Sequence, residues 1–188
     1  GTVDAVVVSS HVIHALQTIV SRNTNPLEST VVTIGKINGG YNFNIIADNV
    51  VLKGTARAYT EENRQLIKTR MNEILKGLSI TFNAEISLDY EDGYPPTIND
   101  KTCAENLLNS ATKIVGAGAG EPYLSMGGED FSYFANEKPG CFFFIGSSPN
   151  DRELLSTPHH CSHFDIDEEA LLVGSSVFVQ LIEDLLIT

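Results

Sequence analysis

Apolar positions in the first ninety residues switch repeatedly between a helical and a strand period. From Val3 to Val20 they fall at 3, 6, 7, 13, 16 and 20, with Val8, Val12 and Ile19 widening the stripe. That spacing predicts a helix buried on more than one side. Asn23-Thr24-Asn25-Pro26 ends it with turn-forming residues. Thr30 to Ile37 is dense in β-branched residues, and Asn38-Gly39-Gly40 turns the chain. Between Asn49 and Tyr59 the alternation is clear: Val50, Leu52, Gly54, Ala56 and Ala58 share one face, and Val51, Lys53, Thr55, Arg57 and Tyr59 the other. Thr60-Glu61-Glu62 opens a second helix with a cap and an acidic first turn. Ile67, Met71, Ile74, Leu75 and Leu78 give that helix its stripe. Ile86, Leu88 and Tyr90 alternate with Glu85, Ser87 and Asp89 as a half-buried strand. The order α-β-β-α-β is the ferredoxin-like β-α-β-β-α-β unit without its first strand.

Asp92-Gly93-Tyr94-Pro95-Pro96 reads as a linker. It places a boundary near Gly93, with domains at 1–92 and 93–188. Beyond it, Ala104, Leu107, Leu108, Ala111, Ile114 and Val115 predict an amphipathic helix that Gly116 to Gly120 breaks. The glycines of Met126-Gly127-Gly128-Glu129-Asp130-Phe131 allow close backbone approach; its carboxylates suit a metal or ligand, or a plain helix cap. Cys141 to Gly146 is continuously apolar, as in a strand buried on both faces of an α/β sheet. Leu171, Phe178, Leu181, Ile182 and Leu185 mark a closing helix. The fold class is therefore α/β, an α+β unit followed by an α/β remnant.

Charge narrows the candidate partners. Twelve Lys and Arg stand against 24 Asp and Glu, a formal net charge of -12. This opposes binding to nucleic acid and to anionic membrane. The cluster Arg64, Lys68 and Arg70 reads as a solvated helix face, and the strand faces lack paired exposed aromatics for base stacking. No apolar run reaches the roughly 20 residues of a membrane span. Three scattered cysteines, Cys103, Cys141 and Cys161, fit a reducing, cytoplasmic compartment. The chain starts at Gly1 without Met, directly before a helix, as a piece of a longer protein would.

The densest chemistry lies at His159-His160-Cys161-Ser162-His163-Phe164-Asp165-Ile166-Asp167-Glu168. Imidazole is the commonest transition-metal ligand, so the stretch is either a metal-site component or a polar loop whose carboxylates cap the closing helix, Asp165 with Glu168. Adjacent His159 and His160 point apart, so a complete site needs ligands from elsewhere. His11 and His14 read as packed core residues. Arg57 is either a solvated charge or a bidentate clamp for a carboxylate.

Several blocks in order resemble the C-terminal half of the M20 metallopeptidase-like amidohydrolases, in the branch of aminoacylases, hippurate hydrolases and indole-acetyl amino acid hydrolases. They are Val3-Asp4-Ala5, Leu16 to Asn23, Pro26-Leu27, Asn44-Ile45-Ile46-Ala47-Asp48, Gly54-Thr55-Ala56-Arg57, Gly127 to Phe131, Pro139-Gly140 and His160 to Glu168. The resemblance implies a catalytic domain with two divalent metals (zinc, manganese or cobalt) and an inserted ferredoxin-like lid that mediates homodimerisation. Residues 1–92 would be most of that lid, and 93–188 the end of the catalytic domain. His160 aligns with a metal ligand, Asn44 and Arg57 with lid residues binding the substrate carboxylate, and Gly127 and Gly128 with a backbone lining of the cleft. Glu129 receives no ligand role.

The other metal ligands, the general-base glutamate and the lid histidine have no counterpart in the chain, and Ala47 stands where proline is usual. The implied reaction is metal-dependent hydrolysis of N-acyl amino acids, with this portion inactive by itself. The competing expectation is a non-catalytic dimerisation or interaction module.

Overall fold

The computed structural model describes residues 2–120, 123–148 and 159–187. The chain divides into two compact units, Gly1–Pro96 with Met126–Glu129, and Thr97–Ser125 with Asp130–Thr188.

In the first unit, helix α1 (Ala5–Thr18) begins where Asp4 Oδ1 accepts from the Val6 and Val7 amides at 2.9 and 3.2 Å. Such a cap satisfies two of the amides that a helix start leaves unpaired. A π-turn, Ile19–Asn23, ends the helix. Strands β1 (Thr30–Gly39) and β2 (Val50–Ala58) pair antiparallel, with Thr30 opposite Ala58 and Gly39 opposite Val50. Helix α2 (Glu61–Phe82) starts at the Thr60 cap and ends at left-handed Asn83. Val8, Val12, Leu16, Ile19, Val32, Ile67, Met71 and Leu75 form one buried cluster. The stripe expected on α2 is the one it buries.

Three expectations for this unit change. The buried line of α1 runs through Val8, Val12, Leu16 and Ile19, while Val3, Val6 and Val7 are exposed. One face is therefore covered, not several. His11 and His14 are exposed on that helix rather than packed in the core, with the His11 ring 4.6 Å from that of Phe82.

Residues 84–90 also differ. Ala84, Ile86, Leu88 and Tyr90 pack against the core and alternate with exposed residues, yet the segment joins no ladder. Among the described residues the sheet has two strands, β1 and β2. Alternating burial follows from side-chain chemistry, whereas a strand also needs a neighbour for its backbone groups. Without such neighbours the ferredoxin-like sheet is not formed by the described residues.

Beyond 90, α2 holds the chain electrostatically. Lys68 Nζ lies 2.6 Å from Asp92 Oδ2 and over the Tyr90 ring, and Arg64 Nη2 donates to the Gly93 carbonyl at 3.0 Å. Arg64 also pairs with Glu61 and Arg70 with Glu73, so the expected solvated face is a row of ion pairs.

In the second unit, helices α3 (Lys101–Val115) and α5 (Glu169–Leu186) pack together, with the short α4 (Phe131–Glu137) between them in sequence. Leu107 and Ser110 of α3 and Gly174 and Val177 of α5 are buried. Of the expected α5 stripe, Leu171, Phe178, Ile182 and Leu185 are exposed and Leu181 is half-buried. The helix is present with a different inner face.

Residues 141–146 are not a strand, since no strand among the described residues of this unit flanks them. Asn99 brackets Phe142 instead, its Nδ2 donating to the carbonyl and its Oδ1 accepting from the amide, both at 2.8 Å. Phe144 is 57% exposed, so the segment is not buried on both sides. At the start of α5, Asp167 Oδ1 accepts from the Glu169 amide at 3.0 Å. The expected cap, Asp165, bonds its neighbour Ile166. Two residues of extra reach make Asp167 the better placed acceptor.

Candidate functional site

Arg57 stands on the β2 face opposite the helices, in register with Val31. It is exposed. Its Nη1 donates to the Met126 carbonyl at 2.6 Å, which brings the guanidinium beside Gly127 and Gly128 of the same unit. Gly128 is a close-approach position. A Cβ built there would lie 3.1 Å from Tyr94 Cδ2, so the ring packs against the bare α-carbon. A guanidinium with spare donors beside a side-chain-free backbone can hold a carboxylate and leave room for the group attached to it.

Asn44 lies elsewhere in this unit. It is exposed in the loop between β1 and β2 and lines an open groove of about 730 Å³ formed by residues 39–47 with Asp4 and Val6. Ladder register places the loop end of β2 at Val50 and Arg57 seven residues along. At ~3.3 Å per residue this is roughly 23 Å. Helix α1 spans the same gap, since Asp4 lines the groove while Gln17 Nε2 donates to Val32 O at 3.5 Å near the far end. One chain therefore brings Arg57, Gly127 and Gly128 together and keeps Asn44 apart.

His160, in the second unit, is exposed in a turn at φ 66°, the left-handed region. Its ring centroid lies 6.4 Å from that of His159, which packs edge-on against Phe164 at 5.0 Å. Among the described residues no group of three His, Cys, Asp or Glu side chains could hold a metal ion. A catalytic zinc takes three protein ligands, so the described residues do not make a site by themselves. His160 offers one imidazole.

Two features escaped the sequence reading. Tyr94 sits in a stretch that reads as linker, and nothing local marks it as a contact of Gly128. Ser110 is 1% exposed, and its hydroxyl donates to Asp184 Oδ2 at 2.7 Å. Asp184 also accepts from Lys113 Nζ at 2.6 Å and Gln180 Nε2 at 2.9 Å. These partners, Lys113 first and Ser110 next, lower its carboxyl to about 2. The available signal was a serine one turn beyond Leu107, on the inner line of an amphipathic helix.

In the first unit an exposed arginine is bonded to a glycine-rich backbone segment, and in the second a histidine-rich turn precedes α5. Residues 3–184 match peptidase family M20/M25/M40, and the chain belongs to that family. It is 38% identical over 172 residues to the N-acetyl-L-cysteine deacetylase of Bacillus subtilis (strain 168), covering 92% of this chain and 40% of that protein. It is 34% identical over 188 residues to the IAA-amino acid hydrolase ILR1-like 4 of Arabidopsis thaliana, covering 96% and 42%. Among solved structures it resembles the Bacillus subtilis YXEP protein, described as a dinuclear metal-binding peptidase of the M20 family. The TM-score there is 0.75 at 27% identity, over 100% of this chain and 48% of that one. The chain thus spans less than half the length of these relatives. Its mixed architecture of helices and a small sheet is that of the M20 α/β fold, and its relatives hydrolyse amides.

Proposed function

We propose that this chain is the substrate-holding portion of a metal-dependent amidohydrolase that cleaves the amide bond of N-acyl amino acids. The observation that carries this reading is the pairing of Arg57 with the Met126–Gly128 backbone. Arg57 has five N–H donors, so a fork facing a substrate carboxylate remains after the Met126 bond. The glycine backbone would then flank the amide, and fixing both ends of the substrate removes much of the entropy cost of reaction. A divalent centre (zinc, manganese or cobalt) supplies carbonyl polarisation and an acidified water when bound. His160 would contribute one imidazole to it, the other ligands coming from outside the described residues. The 188-residue chain by itself is then inactive.

Asn44 supports a further part of the reading. Roughly 20 Å is too far for Asn44 and Arg57 to grip one small acyl amino acid from the same chain. Both can serve if Asn44 is delivered by a second copy, in a homodimer joined through residues 1–92 acting as a lid. Three unpaired cysteines support a reducing, cytoplasmic setting, and the net charge of -12 leaves nucleic acid and anionic membrane as poor partners.

The test is hydrolysis of N-acetyl and N-benzoyl amino acids by the longer enzyme containing this chain, with and without a chelator, and with His160→Ala. Chelator-sensitive turnover that His160→Ala abolishes is expected. Absence of turnover with every divalent metal would leave the interaction module as the better account.

A further inference from the structure

The Gly127–Gly128 segment is fastened within the first unit from two sides, and only Arg57 has been given a role. The second fastening is Tyr94. Its Cδ2 and Cε2 lie 3.1 and 3.8 Å from where a Gly128 Cβ would stand, so the ring edge rests on the glycine. Tyr94 is 51% exposed, which sets it apart from a side chain committed to a core. Its own backbone is anchored just upstream, where Arg64 Nη2 donates to the Gly93 carbonyl at 3.0 Å and Lys68 Nζ meets Asp92 at 2.6 Å. A continuous path therefore runs from the long helix α2 through residues 92–94 to Gly128. Residues 123–125 and 130 onward belong to the other unit, so Met126–Glu129 has no sequence neighbours of its own unit to hold it. Within the first unit it is tied to Arg57 by that bond and to Tyr94 by that contact.

We propose that Tyr94 is a positioning residue that fixes the Gly127–Gly128 backbone relative to the Arg57 guanidinium. The inference rests on the amidohydrolase reading and deepens it, because the distance between these two groups sets where the substrate amide lies once its carboxylate is held. Glycine at 128 is then a requirement of the ring as well as of the substrate.

The experiment is a double-mutant cycle in the longer enzyme containing this chain, using Tyr94→Ala, Gly128→Ala and both, with Tyr94→Phe as the conservative variant. Tyr94→Ala should raise KM for an N-acetyl amino acid about tenfold with a smaller change in kcat, because misplacement of a positioning group by about 1 Å carries that order of cost or more. Tyr94→Phe keeps the contacting ring carbons and should stay within about twofold of wild type on the same grounds. The Tyr94→Ala and Gly128→Ala effects should be less than additive, since each relieves or creates the same contact.

A readout independent of turnover is the NMR position of the Gly128 α-protons in the 188-residue chain. The Tyr94 ring current should displace it, and Tyr94→Ala should return it to an ordinary glycine value. An unchanged KM in folded Tyr94→Ala, or additive effects, would overturn the proposal. If wild type hydrolyses no N-acyl amino acid, the amidohydrolase reading fails and the resonance decides alone: no movement in Tyr94→Ala refutes the positioning role.

Discussion

Arg57 and Met126 stand 69 positions apart in sequence and are joined by a 2.6 Å hydrogen bond from the guanidinium to the main-chain carbonyl. That bond recruits a segment from the second half of the chain to the first unit, and it consumes one of the five donors of Arg57. The remaining donors define the first prediction. Arg57→Ala should lower kcat/KM for N-acyl amino acids roughly 10- to 100-fold, the equivalent of a charge-assisted hydrogen bond worth about 1.5–3 kcal/mol. Turnover of the matching carboxamide substrates should change little. Equal losses on acids and amides would show that Arg57 serves the Met126 carbonyl and not a ligand.

His160 carries the second prediction, because its backbone and its side chain pull in opposite directions. A left-handed φ costs a non-glycine residue about 1–2 kcal/mol, and glycine removes that strain at an entropic cost of about 0.5–1 kcal/mol. His160→Gly should therefore leave the melting temperature of the chain unchanged or slightly higher while abolishing hydrolysis by the longer enzyme. A strongly lowered melting temperature would make His160 a structural residue of the turn.

Gly54 offers the third. Ladder partners run Ile34 to Gly54 and then Lys36 to Lys53, so Gly35 is the extra residue of a β-bulge. Beside it, a Cβ on Gly54 would come within 2.1 Å of the Thr33 carbonyl oxygen. Replacing a strand glycine ordinarily gains about 0.5–1 kcal/mol. Here the clash is with backbone next to an irregularity, and Gly54→Ala should cost about 1–3 kcal/mol, the usual range for overpacking. Urea denaturation of the chain gives the sign directly, and a stabilised variant would refute the argument.

These cases also show what the sequence could carry. The inner line of α2 through Ile67, Met71 and Leu75 was legible because a helical period expresses one physical fact, burial of one face. The face of β2 bearing Arg57 was legible for the same reason. Residues 84–90 show the limit: their alternating burial was readable, but a ladder depends on a neighbouring strand, which local pattern does not encode. The bulge at Gly35 shifts register without a distinctive composition. Register in turn decides that Asn44 and Arg57 lie at opposite ends of the hairpin. The alternation put Arg57 on the outer face of β2, yet local pattern could not say which of the candidate residues one chain brings together.

The fourth prediction concerns the tie between α3 and α5. Asp184 accepts from Lys113, Ser110 and Gln180, and its carboxyl is lowered from an ordinary 3.8 to about 2. A carboxylate whose folded pKa lies below its unfolded value binds fewer protons in the folded state. Its contribution to stability is complete above the unfolded value and declines as pH falls through the folded one. The difference in melting temperature between wild type and Asp184→Asn should thus be largest at neutral pH, shrink between 3.8 and about 2, and vanish below. Ser110→Ala removes one of the lowering partners, so it should move the end of that decline to higher pH and make the total loss smaller. Salt separates the partners further. The Lys113 contribution, at a half-exposed ammonium, should weaken with ionic strength, while the hydroxyl bond from buried Ser110 should not. A wild-type to Asp184→Asn difference that stays flat from neutral pH to 2 would mean that the three donors serve geometry alone.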